Sequence, residues 1–392
     1  MSDTATLRGN WHYPTRVWFG AGRIHELPAA CAELGMHRPL LVTDPGLAAL
    51  SMLSDALRSC REAGLPCEMF SDVRGNPVLD NVEAGLAIYR EGNHDGIIAF
   101  GGGSAMDAAK AIALMVGQHR PLWDFEDRED WWTRADPDGI APVVAVPTTA
   151  GTGSEVGRAA VITDPADHTK KVIFHPKMLP GIVIADPGLT VGLPPTVTAA
   201  TGMDALSHNL EAFLSPVYHP MADGIAVEGI RLIHRWLPVA HAEGDNITAR
   251  SHMLVASSMG ATAFQKGLGA MHSLSHPCGA VLDTHHGLTN AVVMPYVLAF
   301  NRPAVEEKLA RLARLLALPG EGPQAVLDWV LALRRQLGIP HTLAELGVTE
   351  GHVARLAAMA VVDPTAPTNP VPLSEANLSE LYHRAIHGEL AA

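Results

Sequence analysis

Cysteine is scarce and unpatterned in this 392-residue chain. Cys31, Cys60, Cys67 and Cys278 show no CxxC or paired spacing, which excludes a disulfide framework or a zinc knuckle as the organising device. Basic residues are short too. Lys and Arg number 28 against 41 Asp and Glu, a net charge of −13 with no basic run to offset it, which argues against nucleic acid as a partner. No stretch reaches the ~18 consecutive apolar residues of a membrane span, and the opening MSDTATLRGNWHYP is polar, without the apolar core of a secretory signal. These absences lead us to expect a cytoplasmic protein, with Cys278 a small buried hydrophobe.

Apolar residues are plentiful, at 47% against 18% charged. The chain is longer than the roughly 250–300 residues at which one core stops growing, so two domains are expected. Up to about residue 190, short buried-type runs alternate with helical patterns. PLLVTD (39–44), DGIIAF (95–100), APVVAVP (141–147) and GIVIADP (181–187) read as strands, while SMLSDALRSCREAG and EAGLAIYREGN read as helices. This alternation predicts a parallel sheet in an α/β fold.

Two of these strands run into small-residue loops. GGGSAMDAAK follows DGIIAF and opens a helix, whose exposed N–H groups and positive end suit an anion, with glycines letting a pyrophosphate approach the backbone. It is not the GxGxxG fingerprint, and alone such a turn serves geometry as readily as phosphate. TTAGTGSEVG (148–157) follows APVVAVP. Two such loops at the carboxyl ends of parallel strands share the sheet edge where α/β proteins bind ligands, which favours a nucleotide. Asp44 ends the first strand; its carboxylate suits a ribose 2′-OH and repels a 2′-phosphate, favouring NAD over NADP, although DPG also reads as an ordinary turn.

Beyond residue 190 the strand signals vanish. EEKLARLARLLAL, GPQAVLDWVLALRRQLG and EGHVARLAAMAVV have helical spacing with Gly or Pro stops. The expected architecture is a Rossmann-like α/β nucleotide-binding domain over 1–190 and an all-α domain over 191–392. In the latter, Asp204 and His208 are four apart, as are His272 and His276, so each pair shares a helix face. His286 follows, across an expected loop containing Pro277 and Gly279. A single i,i+4 Asp–His pair is commonly just a packing feature, but an Asp with several His beside a nucleotide-like half makes a mixed O/N metal site suited to Fe²⁺, Zn²⁺ or Mn²⁺.

GGGSAMDAAK, VPTTAGTGSE, ATGMDALSHNLEAFLS and HSLSHPCGAVLDTHHGLTNAVVMPY, with GNPVLDNVEAG and DPTAPTNPVPLSEANLSELY at the two ends, resemble the iron-containing (group III) alcohol dehydrogenase family over nearly the whole chain. The resemblance implies a nucleotide domain, a helical domain and an active site in the cleft between them. It puts the metal, iron foremost, on Asp204, His208, His272 and His286, and places His276 beside the nicotinamide, where an imidazole that titrates near neutral pH is the candidate catalytic proton relay. NAD falls to Gly101, Gly102, Gly103 and Ser104, with Asp107 just inside the helix, and to Thr148, Thr149 and Thr152. Asn76 and Lys171, with Lys170 as a substitute, complete the cofactor contacts. Metal-free relatives such as maleylacetate reductases depart at the ligand positions, which this chain keeps. AFQKGLGAMH is one residue shorter than the family's usual stretch.

The implied reaction interconverts a primary alcohol and its aldehyde by hydride transfer to NAD, in a homodimer or larger homo-oligomer. The alternative is a non-redox, metal-dependent lyase of dehydroquinate-synthase-like architecture, which calls for several basic residues near the metal; Lys266 is the one found. Lys266 could also pair with the carboxylate of an ω-hydroxy acid or semialdehyde, against the plainer reading of a solvated helix-end lysine. His285 receives no role, and Trp123, Trp131 and Trp132 read as a local anchor.

Overall fold

The computed structural model describes residues 9–11, 15–166 and 169–390, so the polar N-terminal stretch lies, apart from Gly9–Trp11, outside the described residues. The chain divides into two compact units, Met1–Val191 and Gly192–Ala392.

The first unit is built on a seven-stranded sheet. In chain order its elements are β1 (Gly9–Trp11), β2 (Arg16–Phe19), α1 (Leu27–Glu33), β3 (Pro39–Val42), α2 (Pro45–Ala48), α3 (Ser51–Glu62), β4 (Glu68–Phe70), α4 (Leu79–Glu91), β5 (Gly96–Gly101), α5 (Gly103–Met115), β6 (Val143–Pro147), β7 (Ala159–Asp164), β8 (Thr169–Phe174) and β9 (Ile182–Ala185). The sheet runs β1-β2-β9-β6-β5-β3-β4. Every neighbouring pair is parallel except β1–β2. Strands β3, β5, β6 and β9 are buried at every residue, as expected of a parallel sheet covered on both faces. Their Leu, Ile and Val side chains pack against Leu27, Leu53 and Ala56 of the flanking helices.

The order carries a functional consequence. From β3 the chain moves outward to the edge strand β4, then returns through α4 to β5 on the other side of β3. The direction of winding thus reverses between β3 and β5. Loops leaving the carboxyl ends of such a pair diverge and leave a crevice, the usual ligand position in open α/β sheets. Asp44 leaves β3 there, and Gly101–Gly103 leave β5. Elements that were not expected include the short strands β1, β2 and β4, and the antiparallel β7–β8 hairpin, registered from Ala159 opposite Phe174 to Asp164 opposite Thr169. In the hairpin β8 reads TKKVIF, where two lysines mask the strand pattern.

The second unit is helical: α6 (Pro195–Leu214), α7 (Pro220–Ala242), α8 (Ile247–Ala263), α9 (Ala270–Leu282), α10 (His286–Leu315), α11 (Gly322–Gln336), α12 (Val353–Ala360) and α13 (Glu375–His387). Helix α6 is central. Its residues Gly202–Leu214 are all buried, and it packs on α7, α8 and α10. One expectation fails here. Pro277 and Gly279 lie inside α9, not in a loop. Pro277 has no N–H to offer the Ser273 carbonyl, but the helix continues past that single lost bond. Asp283, in the left-handed conformation at φ 54°, closes it instead.

All four thiols are free, and Cys278 is buried as expected. Half-buried Trp131 lies between Arg128 and Arg134 of its own loop, the latter 3.9 Å from its ring, and Trp132 meets His175, outside that loop, edge-on.

Candidate metal centre and cofactor loops

Three helices bring one ligand set together. Asp204 and His208 project from one face of α6, His272 from the first turn of α9, and His286 from the first residue of α10. One donor atom from each lies within 4.8 Å of the other three. Asp204, His208 and His272 are buried, and His286 is partly exposed. The rings of His208 and His272 stack at 4.7 Å, and His286 sits 5.2 Å from His272. One carboxylate and three imidazoles at this separation fit a divalent cation, and His286 is the ligand whose side chain stays partly exposed.

The surroundings orient the rings. Glu211, on the same face of α6, places Oε2 2.6 Å from Nδ1 of His272. Ser275 Oγ is 3.4 Å from Nδ1 of His286. Asn290 reaches inward one turn along α10 from His286: its Nδ2 donates to Asp204 Oδ1 at 2.9 Å and lies 3.1 Å and 3.3 Å from Nε2 of His286 and His272. An amide NH₂ held among three acceptor atoms is what a site built for a cation attracts. Burial pushes the His272 imidazolium toward deprotonation, but Glu211, with Asp204 and Asp363 behind it, holds its pKa above the ordinary histidine value.

His276 stands one turn beyond His272, its ring stacked on His286 at 5.3 Å and its Nδ1 2.8 Å from Oδ2 of Asp363. Burial raises the Asp363 carboxyl, yet His276 and the hydroxyl and N–H of Thr365 together hold it below the usual carboxylate range. His285 also has a use: its Nδ1 accepts the Leu288 N–H at 3.3 Å and caps α10, which fixes where His286 begins.

Lys266 corrects both readings given above. It is neither solvated nor available to a ligand, being 2% exposed with its ammonium on Asp223 and on the Phe213 carbonyl at 3.3 Å. A buried ammonium needs a counter-charge, and Asp223 supplies it.

In the first unit the two glycine-rich loops meet. Strands β5 and β6 are neighbours, and the Thr148 N–H donates to Gly101 at 3.0 Å. A Cβ on Gly102 would come within 3.2 Å of Thr149 Oγ1, and one on Gly103 would strike the Thr152 side chain. Gly101 has φ 151°, and a Cβ there would lie 2.7 Å from Ala105 Cβ, so glycine is required on both counts. No side chain caps α5, whose N-cap is Gly102. The buried Thr148 hydroxyl has no protein partner among the described residues. An uncapped helix start, close-packed glycines and an unpaired hydroxyl suit a pyrophosphate.

The remaining cofactor candidates divide. Ser104 Oγ donates to Gly75, tying the turn that holds Asn76 to the glycine loop. Asp44 uses Oδ1 to cap α2 through the Leu47 N–H, while Oδ2 faces the Gly101 position. Asp107 has both oxygens taken, by Ser154 Oγ at 2.5 Å and the Val161 N–H at 2.9 Å, so it braces the second loop against β7. Lys171 pairs with Asp164 in the hairpin and lies over the Trp123 ring at 4.9 Å.

The chain matches two family models, iron-containing alcohol dehydrogenase over residues 14–187 and the C-terminal domain of the Fe-containing alcohol dehydrogenase family over 198–386. The chain belongs to the iron-containing alcohol dehydrogenase family. It is an oxidoreductase, and the resemblance and fold read from the sequence are borne out. Relatives of this family that it is similar to include the 4-hydroxybutyrate dehydrogenase of Cupriavidus necator, 40% identical over 96% of this chain and 99% of the relative. The NAD-dependent methanol dehydrogenase of Bacillus methanolicus is 35% identical over 96% and 100%. The crystal structure of a 1,3-propanediol oxidoreductase superposes with a TM-score of 0.90 at 36% identity, covering 97% of this chain and 100% of the other.

Sequence reasoning missed Glu211, Asn290 and Asp363. The first two had a signal: Glu211 extends Asp204 and His208 at i+7, and Asn290 follows His286 at i+4. Asp363 had none.

Proposed function

We propose that this dehydrogenase interconverts a primary alcohol and its aldehyde with NAD(H), using a divalent ion, iron foremost, held by Asp204, His208, His272 and His286. The convergence of those four side chains carries the reading. Bound there, the ion would supply Lewis acidity toward the substrate oxygen, and NAD held at the glycine loops would supply the hydride acceptor. Gly101, Gly102, Gly103, Ser104, Thr148, Thr149 and Thr152 form the pyrophosphate cradle, with Asn76 beside it and Asp44 favouring the unphosphorylated ribose. Lys171 and Asp107 act on the cofactor indirectly, by bracing the hairpin and the second loop. His276 exchanges the alcohol proton at Nε2, because Asp363 holds the proton on Nδ1.

For the substrate we infer an ω-hydroxy acid or its semialdehyde, supported by the likeness to a 4-hydroxybutyrate dehydrogenase. Its carboxylate partner is not Lys266, whose ammonium is spent on Asp223. We place the enzyme in the cytoplasm as a homo-oligomer. Four unpaired thiols suit a reducing compartment, no described helix is long and apolar enough to cross a membrane, and the α6–α7 turn exposes Val217, Tyr218 and Met221 as an apolar patch.

The test is NADH formation from a panel of simple alcohols, diols and ω-hydroxy acids, before and after chelation, with Fe²⁺, Zn²⁺ or Mn²⁺ restored. Activity that disappears on stripping and returns with metal is expected, strongest on ω-hydroxy acids. Absence of hydride transfer with every metal and alcohol would overturn the reading.

A further inference from the structure

Glu211 is a buried carboxylate on α6, three residues beyond His208, and both its oxygens are committed to α9. Oε2 lies 2.6 Å from Nδ1 of His272, and Oε1 accepts the Met271 N–H at 2.6 Å. A carboxylate at Nδ1 makes that nitrogen the donor, so Nε2 is left as the lone-pair atom facing Asp204 and Asn290. Charge points the same way. Three neutral imidazoles and Asp204 bring one negative charge to a buried site for a doubly charged ion, and uncompensated buried charge is costly. Glu211 supplies the second negative charge, relayed through one imidazole.

We propose that Glu211 is the positioning residue of the metal centre and its second counter-charge: it sets the tautomer and angle of His272 and thereby the affinity for a divalent cation. This rests on the metal-dependent reading above. Glu211 also has a purely architectural use. Gly269 offers no side chain to cap α9, and the first N–H groups are taken by Asn369 Oδ1, from Ala270 at 3.0 Å, and by Glu211, from Met271. The two uses are separable, because Asn369 caps α9 without touching His272.

The experiment is Co²⁺ titration of the metal-stripped full-length protein against a competing chelator, with the visible spectrum of the bound Co²⁺ recorded alongside the melting midpoint of the stripped protein. Glu211→Gln is expected to weaken Co²⁺ binding about 10- to 100-fold and to change the spectrum. Glu211→Asp, which keeps the charge but withdraws it by one methylene, is expected to lose less. Asn369→Ala lowers the melting midpoint while leaving affinity and spectrum close to the parent. Parental affinity in Glu211→Gln, or an equal loss in Asn369→Ala, overturns the proposal and leaves Glu211 a helix cap. A parent that binds no Co²⁺ overturns the metal-dependent reading itself, an outcome distinct from either.

Discussion

His276 Nδ1 lies 2.8 Å from Asp363 Oδ2, joining residues 87 apart in sequence, and the carboxylate is further held by the Thr365 hydroxyl. The pair resembles the orienting carboxylate of other acid–base histidines: it keeps the proton on the inner nitrogen and presents the outer one. His276→Ala is expected to lower kcat by about 10²-fold or more, with metal content unchanged. Asp363→Asn, which can no longer accept the Nδ1 proton as a carboxylate, should give a smaller loss of kcat, again with metal content unchanged. A kcat in Asp363→Asn equal to the parent's would separate the two residues functionally.

Asn290 donates to Asp204 and sits against two imidazoles, so it satisfies ligand atoms that a cation otherwise engages. Asn290→Ala should destabilise the metal-stripped protein by about 1–3 kcal/mol, the cost of leaving buried acceptors unpaired. The metal-loaded protein should lose less. Denaturant unfolding of both forms checks the difference.

Gly101 combines φ 151° with no room for a side chain, since a Cβ there would lie 2.7 Å from Ala105 Cβ. Gly101→Ala is expected to cost about 1–3 kcal/mol of stability and to raise KM for NAD more than it lowers kcat. Thermal melts and initial rates at varied NAD read the two effects separately.

Asp44 both caps α2 and faces the glycine loop. Asp44→Ser retains an N-cap acceptor while removing the charge, so the NADP-to-NAD ratio of kcat/KM should rise with little loss of stability. Asp44→Ala should raise it as well, but at about 1 kcal/mol in stability from the lost cap.

Lys308 donates to the last carbonyls of α6, Phe213 at 2.9 Å and Ser215 at 2.8 Å. Burial, aided by the neighbouring Lys266, lowers its pKa from 10.5 to about 8. The unfolded chain therefore binds more protons between those two values, and the Lys308 contribution makes stability rise as pH increases through that window. Below it, the cost of the buried charge is fully present. Unfolding free energies measured across the window should have a flatter slope in Lys308→Gln than in the parent.

Some elements could be read from residue order because short-range physics decides them. Strands β3, β5, β6 and β9 are unbroken apolar runs, and a strand buried on both faces has no other pattern. Asp204–His208 and His272–His276 declared themselves by helical spacing. Pro277 misled because proline usually breaks a helix, and here packing outweighs one missing N–H. Strands β2 and β4, only four and three residues long, are too short to show a period and form because neighbours are ready to pair with them.

Sequence alone determined which groups exist: the small-residue loops after parallel strands, the carboxylate ending β3, and the imidazoles spaced along helix faces. Tertiary structure decided what each group is free to do. A charged or polar atom takes whichever partner burial brings within about 3 Å, and that choice is made by elements distant in the chain. Lys266 was consumed by Asp223 and Asp107 by Ser154, while His276 gained Asp363 and His272 gained Glu211. Spacing along a helix fixes which side chains share a face, but only the packing of three helices determines that four of them share one ion.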